Sequence, residues 1–134
     1  MCGLPGGTIC VVWSDSRHGL QELYFRSRIG GVWTPERRLT DLPGTSREPC
    51  IGADARGACT SPGSHNDASG VQVDFMSFTY LSPFGDPIPV TPASSFPDLP
   101  TLAMAPGGSS YILWADRATT RPACGFRTSL PIRA

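Results

Sequence analysis

From Thr8 to Ser14 apolar residues occupy both parities, with Ile9, Val11 and Trp13 alternating with Cys10 and Val12. A strand with two apolar faces is one covered on both sides. A second strand follows over Gln21–Arg28, rich in Leu, Tyr and Phe, and Gly30-Gly31 makes a tight turn behind it. Val32–Leu39 is charged and carries Pro35, which removes a ladder donor and predicts an outer edge strand. Glu48–Asp54 is a fourth strand candidate. No segment keeps apolar residues at the 3.6-residue spacing, so almost no helix is expected.

This unit recurs. At an offset of 51, Gly19 falls on Gly70, Gln21 on Gln72, Thr40 on Thr91, Pro49 on Pro100 and Gly57 on Gly108. Apolar character is kept at Leu20/Val71, Tyr24/Phe75, Trp33/Phe84, Leu39/Val90 and Ile51/Leu102. Gly107 to Arg117 then echoes Gly6 to Ser16, with Trp114-Ala115-Asp116 over Trp13-Ser14-Asp15. Four strands in a period of this length, buried at one edge and polar at the other, describe a β-propeller blade. The expected fold is all-β: a partial propeller of two to three four-stranded antiparallel blades, with Thr8–Ser14 and its equivalents as inner strands. The repeats would span about 8–57, a degenerate 58–108 and an incomplete 109–134. A propeller ring needs about four blades or more, so the missing neighbours are either further blades or other copies of the chain.

Composition narrows the function classes. Eleven basic residues balance eleven acidic ones, which gives no electrostatic case for nucleic acid. Every basic residue is Arg. That suits a carboxylate-binding surface, and equally reflects codon usage. Cys2, Cys10, Cys50, Cys59 and Cys124 form no C-x-x-C pair, so no metal site is expected. Cys10 and Cys50 read as buried free thiols in apolar strands. No apolar run is long enough to span a bilayer, and the first residues lack the pattern of a signal peptide. No cofactor is implied.

Trp13 to Gly57 carries W-S-D-S-R-x-G-x-Q-E-L-Y-F-R-S, then G-G-x-W-x-P-E-x-R-L-T-D, then S-R-E-P-x-I-x-A-D-x-x-G. This resembles the sialidase-like propellers with BNR, or Asp-box, repeats. The resemblance is strong over Thr8–Gly57 and again over Pro97–Arg117, and poor over 58–77. It implies a secreted or cell-surface parent with glycan or protein partners. In that family the Asp box is a structural turn whose Trp packs a blade corner. Ser27, Gly30, Gly31 and Trp33 match it here, with Ile29 at the Asp position. The family's catalytic Arg-Ile/Leu-Pro motif is absent, since Leu130-Pro131-Ile132-Arg133 has the wrong order, and no catalytic residue is carried over.

The candidate ligand-binding residues are Trp13, Asp15, Arg17, Trp114 and Asp116. A Trp can stack on a sugar and a carboxylate can accept its hydroxyls. The recurrence of Trp-x-Asp also fits a packing motif closed by an Asx turn. Asp15, Arg17 and His18 would need a partner from elsewhere for acid–base chemistry, so an exposed turn is the expected reading, and His65 with Asp67 is a weaker case of the same kind. Tyr24 with Glu22 shares one strand face, but Phe75 at the repeat position points to core filling. Arg37-Arg38 with Glu36 reads as a solvated edge strand. One stretch breaks the pattern. Ala58–Ser64 reads ACTSPGS, which is not expected to fill a buried strand. A loop in place of the strand, or a shifted reading frame encoding Val-His-Leu-Ala-Trp, would account for it.

Overall fold

The computed structural model describes residues 1–81, 85–93, 96–105 and 108–117 in full, and the backbone of 123–129. The strands are β1 (Cys2–Gly3), β2 (Ile9–Asp15), β3 (Glu22–Ile29), β4 (Val32–Trp33), β5 (Arg37–Arg38), β6 (Thr45–Arg47), β7 (Gly52–Ala53), β8 (Ala58–Asp67), β9 (Gly70–Thr79), β10 (Ile88–Pro89), β11 (Pro97–Met104), β12 (Ser110–Asp116) and β13 (Ala123–Ser129). Among the described residues there is no α-helix, only a 3-10 turn at Pro5–Gly7. The chain is all-β and antiparallel. A first sheet has the order β1-β2-β3-β4, with β5 also on β3. A second has the order β10-β9-β8-β6, with β7 also on β8, and a third has β11-β12-β13. None closes on itself.

The first sheet agrees closely with its sequence pattern. β2 and β3 pair from Ile9↔Arg28 to Asp15↔Glu22. Ile29 and Val32 then face each other across Gly30 and Gly31, whose φ values of 56° and 86° make the two-residue turn that right-twisted strands require. Pro35 sits in the gap between the edge strands β4 and β5, where no ladder bond is lost.

Three expectations need correction. First, Thr8–Ser14 is not an inner edge, because β2 lies between β1 and β3, and it is not buried on both faces: Cys10 and Val12 are buried, whereas Ile9, Val11 and Trp13 are half-buried. Second, Glu48–Asp54 is not a fourth strand of the first sheet. Only Gly52–Ala53 is strand there, and it pairs with β8 in the second sheet. Third, Ala58–Ser64 is not a loop, and these residues do fill a buried strand. β8 pairs with β9 residue for residue, from Ala58↔Thr79 to Asp67↔Gly70.

β8 is buried because its hydroxyls find partners and its small size makes room. Ser61 Oγ donates to the Cys50 carbonyl at 2.9 Å, Ser64 Oγ donates to Glu48 Oε2 at 2.8 Å, and Thr60 Oγ1 lies 3.0 Å from Ser110 Oγ. Satisfied hydroxyls can be buried at little cost. At Gly63 a Cβ would stand 2.9 Å from Leu23 Cδ1, so the gap is filled from the first sheet. Pro62 lies opposite the break between β6, which ends at Arg47↔Ser64, and β7, which resumes at Gly52↔Thr60.

The repeat has a physical form. Gly7 N–H donates to the Leu4 carbonyl, Gly57 to Asp54 and Gly108 to Ala105, and all three glycines have positive φ. Thr40 Oγ1 accepts the Leu23 N–H at 2.9 Å, and Thr91 Oγ1 accepts the Val73 N–H at 2.9 Å. Among the described residues, the non-glycine residues with positive φ are Glu48 (54°) and Leu99 (51°), each just before a proline. Within the paired strands, however, Leu23 matches Val73 and Phe25 matches Phe75. Tyr24 therefore matches Asp74, not Phe75. A slip of one residue reverses the face, so Phe75 gives no support for core filling by Tyr24. Phe84, the expected match for Trp33, lies outside the described residues, as do Leu130–Arg133.

The sheets stack through alternating residues of their strands. Cys10, Val12, Leu23 and Phe25 of the first sheet meet Cys59, Met76 and Phe78 of the second. Phe25 and Phe78 pack edge to face, with centroids 5.1 Å apart. The other parity of β9, Val73 and Phe75, packs on Ile112, with Leu102 and Trp114 alongside. The second sheet thus lies between the other two.

Candidate functional site

The candidate residues of the first sheet gather at the end of β2 and β3, where the connecting turn is polar. Asp15 Oδ1 accepts the Arg17 N–H at 2.9 Å, which closes an Asx turn. Its other oxygen accepts Arg17 Nε at 2.9 Å, and Arg17 Nη1 reaches Glu36 Oε2 at 2.6 Å. The guanidinium beside it holds the Asp15 carboxyl below the usual range. Arg17 also lies 5.0 Å from the centroid of the Tyr24 ring, which stacks on Trp13 at 6.0 Å. Asp15 and Arg17 thus spend their polar atoms on each other and on Glu36. Two more aspartates make the same local bond: Asp54 accepts the Arg56 N–H at 2.9 Å, and Asp67 the Ser69 N–H at 2.7 Å.

Glu22, which shares a strand face with Tyr24, is 2% exposed. Its carboxylate accepts Arg38 Nη2 at 3.0 Å and the Thr40 hydroxyl. Arg38 also pairs with Asp41 at 2.7 Å. Arg38 is therefore not merely a solvated edge residue: it neutralises a buried carboxylate. The Tyr24 hydroxyl is buried without a hydrogen-bond partner among the described residues.

The box-like residues are placed by the Gly30-Gly31 turn. Ser27 is fully buried, and its N–H donates to Thr34 Oγ1 at 3.1 Å. Trp33 is 41% exposed, with the Arg26 guanidinium 5.4 Å from its ring centroid. Trp114 is half-buried against the second core cluster, and Asp116 stands opposite Pro97 at the end of β12. The two Trp-x-Asp copies are separated by the whole second sheet and do not converge on one site.

A cleft that sequence reasoning did not find lies beside the second sheet. Its volume is about 280 Å³, and its polar lining is His65, Asp67, Gln72, Asp74 and Asp86. His65 belongs to β8 and is buried, so the exposed-turn expectation for it is corrected. Its Nδ1 lies 3.3 Å from Ser46 Oγ and its Nε2 lies 3.5 Å from Asp67 Oδ2. The order Ser–His–Asp invites a nucleophile reading. Against it, Ser46 is 3% exposed and the void beside it is about 10 Å³, room for one water at most. Asp74 accepts Gln72 Nε2 at 2.9 Å, and burial pushes its carboxyl above the usual range. The missed signal was the register: Asp74 is the true repeat partner of Tyr24, and His65 that of Asp15.

Among the described residues, no group of three or more His, Cys, Asp or Glu side chains is arranged to hold a metal ion. Among them, no helix is long and apolar enough to cross a membrane. Comparison with family models, with curated proteins and with solved structures finds no match to this chain.

Proposed function

We propose that the chain is a run of stacked blades from a sialidase-like β-propeller with Asp-box-type repeats. In this reading it is not catalytic by itself, and serves as a scaffold or as a glycan- or protein-binding surface of a secreted or cell-surface parent. The carrying observation is the use made of the polar residues. Asp15, Arg17, Glu22 and Arg38 are consumed in turns and in support of the sheet, leaving no free acid–base pair among these residues at the first sheet's polar end. Repetition of the threonine-to-backbone bond in two successive sheets supports the blade reading. The test is incubation of the purified chain with a fluorogenic sialoside, together with a glycan array. No turnover is expected; turnover abolished by Asp15→Ala would overturn the scaffold reading, and an array without binding would remove its glycan-binding form.

A second reading, a fragment of an exo-α-sialidase-like glycoside hydrolase completed by residues outside this chain, is favoured by one feature. Burial pushes the Asp74 carboxyl above the usual aspartate range, the direction a general acid requires, and Asp74 lines a cleft open to a ligand. Turnover abolished by Asp74→Asn and unaffected by Asp15→Ala would select this reading.

A further inference from the structure

Three thiols meet in the core between the first and second sheets. Cys2 of β1 stands directly opposite Cys10 of β2. Opposed residues of an antiparallel pair share a face, so Cys2 lies with Cys10 on the side that the second sheet covers. Cys59 of β8 belongs to the same core cluster, and the Cys10 thiol is hydrogen-bonded to both of the others. Cys10 and Cys59 are fully buried, Cys2 is half-buried, and all three are free thiols.

Geometry separates the possible pairings. Directly opposed residues of an antiparallel pair have Cα atoms about 4.5–5.5 Å apart, inside the span of about 4.4–6.8 Å that a disulfide bridges. Cys59 belongs to the facing sheet, and stacked sheets stand about 10 Å apart, past the limit of about 7 Å. The Cys50 N–H donates to the Pro62 carbonyl at 3.2 Å. That places Cys50 three residues along β8 from Cys59, about 10 Å at the rise of a strand. β1 is also the element with most to gain from a tie. It is two residues long, lies at the edge of its sheet, and is joined to β2 by the Pro5–Gly7 turn and by the Leu4 N–H, which donates to the Thr8 carbonyl at 2.8 Å.

We propose that Cys2 and Cys10 form an oxidation site, closing a cross-strand disulfide that fixes β1 to the first sheet and leaves Cys59 a thiol. The co-reactant is a low-molecular-weight disulfide such as oxidised glutathione. Cys2, the more accessible thiol, loses its proton and attacks one sulfur of that disulfide, forming a mixed disulfide and expelling a thiolate. Cys10, deprotonated in turn, attacks Cys2 Sγ; the mixed bond breaks and the second thiolate leaves. The two protons end on the two released thiols. The cysteine pair has lost two electrons and the small disulfide has gained them. The hydrogen bond with Cys10, and then burial, raise the Cys2 thiol above its usual range, so the first step runs over hours. The proposal rests on the β1–β2 register and not on the sialidase-like reading.

The experiment is incubation of the reduced, folded chain with oxidised glutathione, followed by alkylation in urea and non-reducing peptide mapping by mass spectrometry. A Cys2–Cys10 bridge is expected, with Cys50 and Cys59 recovered as thiols. In the urea-unfolded chain the Cys2–Cys10 and Cys50–Cys59 loops have nearly equal lengths and should close within about two-fold of each other. A folded chain that keeps Cys2 and Cys10 as thiols, stops at a glutathione adduct on Cys2, or links Cys10 to Cys59 overturns the proposal, as does equal closure of the two loops in the folded chain. Cys10→Ser should halt the reaction at the adduct on Cys2, and Cys2→Ser should leave Cys10 a thiol. Circular dichroism checks each fold; if Cys10→Ser unfolds, Cys2→Ser, at a half-buried position, carries the test, and a Cys10 disulfide formed in it overturns the proposal. On oxidation, exchange of the Leu4 N–H is expected to slow by about 10-fold or more. An unchanged rate overturns the anchoring of β1.

Discussion

Thr40 and Thr91 give the sharpest test of how the repeat is held together. Each hydroxyl accepts the N–H of a central strand, from Leu23 and Val73, at a buried position. Replacing Thr by Val keeps the shape and leaves a buried donor unpaired, which costs about 1–3 kcal/mol. Thr91→Val is expected to lose that amount. Thr40→Val loses more, because the same hydroxyl donates to the buried Glu22 carboxylate, and bonds to charged groups are worth about 1.5–3 kcal/mol. With a urea m-value of about 1–3 kcal/mol/M, the midpoint of Thr91→Val falls by roughly 1 M and that of Thr40→Val by roughly 2 M. Thr→Ser at either site keeps the hydroxyl and costs under about 1.5 kcal/mol for the lost methyl. The assay is urea unfolding followed by circular dichroism and Trp fluorescence. Equal losses for Val and Ser would refute the role of the hydroxyls, and a larger loss at Thr91 than at Thr40 would refute the added bond to Glu22.

Three further outcomes rest on named contacts. Gly63→Ala drives a Cβ to 2.9 Å from Leu23 Cδ1 and 3.3 Å from the Arg47 carbonyl, so thermal unfolding should show a loss of about 1–3 kcal/mol, partly recovered by Leu23→Val. Asp74 has a raised folded pKa, so its contribution to stability is fully present below the unfolded value of about 3.9 and is lost as pH rises through the folded value. Asp74→Asn should therefore unfold at higher urea than the parent at pH 7, with the difference vanishing near pH ~3.5; the same difference at both pH values would exclude titration of this group, which His65 and Asp67 flank. The Cys50 thiol is pushed up to about 11 by burial. For Cys10, a hydrogen bond from Cys2 pulls downward, but the contact with Cys59 and burial outweigh it and hold the thiol at about 12. A thiol held at about 11 rather than 9.0 carries about 100-fold less thiolate at pH ~8, and Cys10 carries less still, so iodoacetamide should label both positions slowly in the folded chain and fully in urea, as read by peptide mass spectrometry.

The elements legible in the sequence were those whose signal is local. A continuous apolar run marked β2, a run rich in Leu, Tyr and Phe marked β3, Gly30-Gly31 marked the hairpin turn, and Pro35 marked an interrupted edge. Ala58–Asp67 was illegible because its signal is not in its own residues. A run of Ala, Ser, Thr, Pro and Gly makes a buried strand only where Leu23 fills the space at Gly63 and where Cys50, Glu48 and Ser110 satisfy the hydroxyls. The cleft beside the second sheet was missed for a related reason. Matching Gln21 with Gln72 placed Tyr24 on Phe75, and one residue of slip hid Asp74 and the cleft it lines.

By itself the sequence determined an antiparallel β chain, because turn chemistry and short apolar runs without helical spacing act between neighbours along the chain. Only the tertiary structure decided which strands share a sheet, which face of each is covered, and which acids are spent on turns. Those outcomes depend on groups brought together from distant positions, as when Glu22 meets Arg38 and Thr40, or Thr60 meets Ser110.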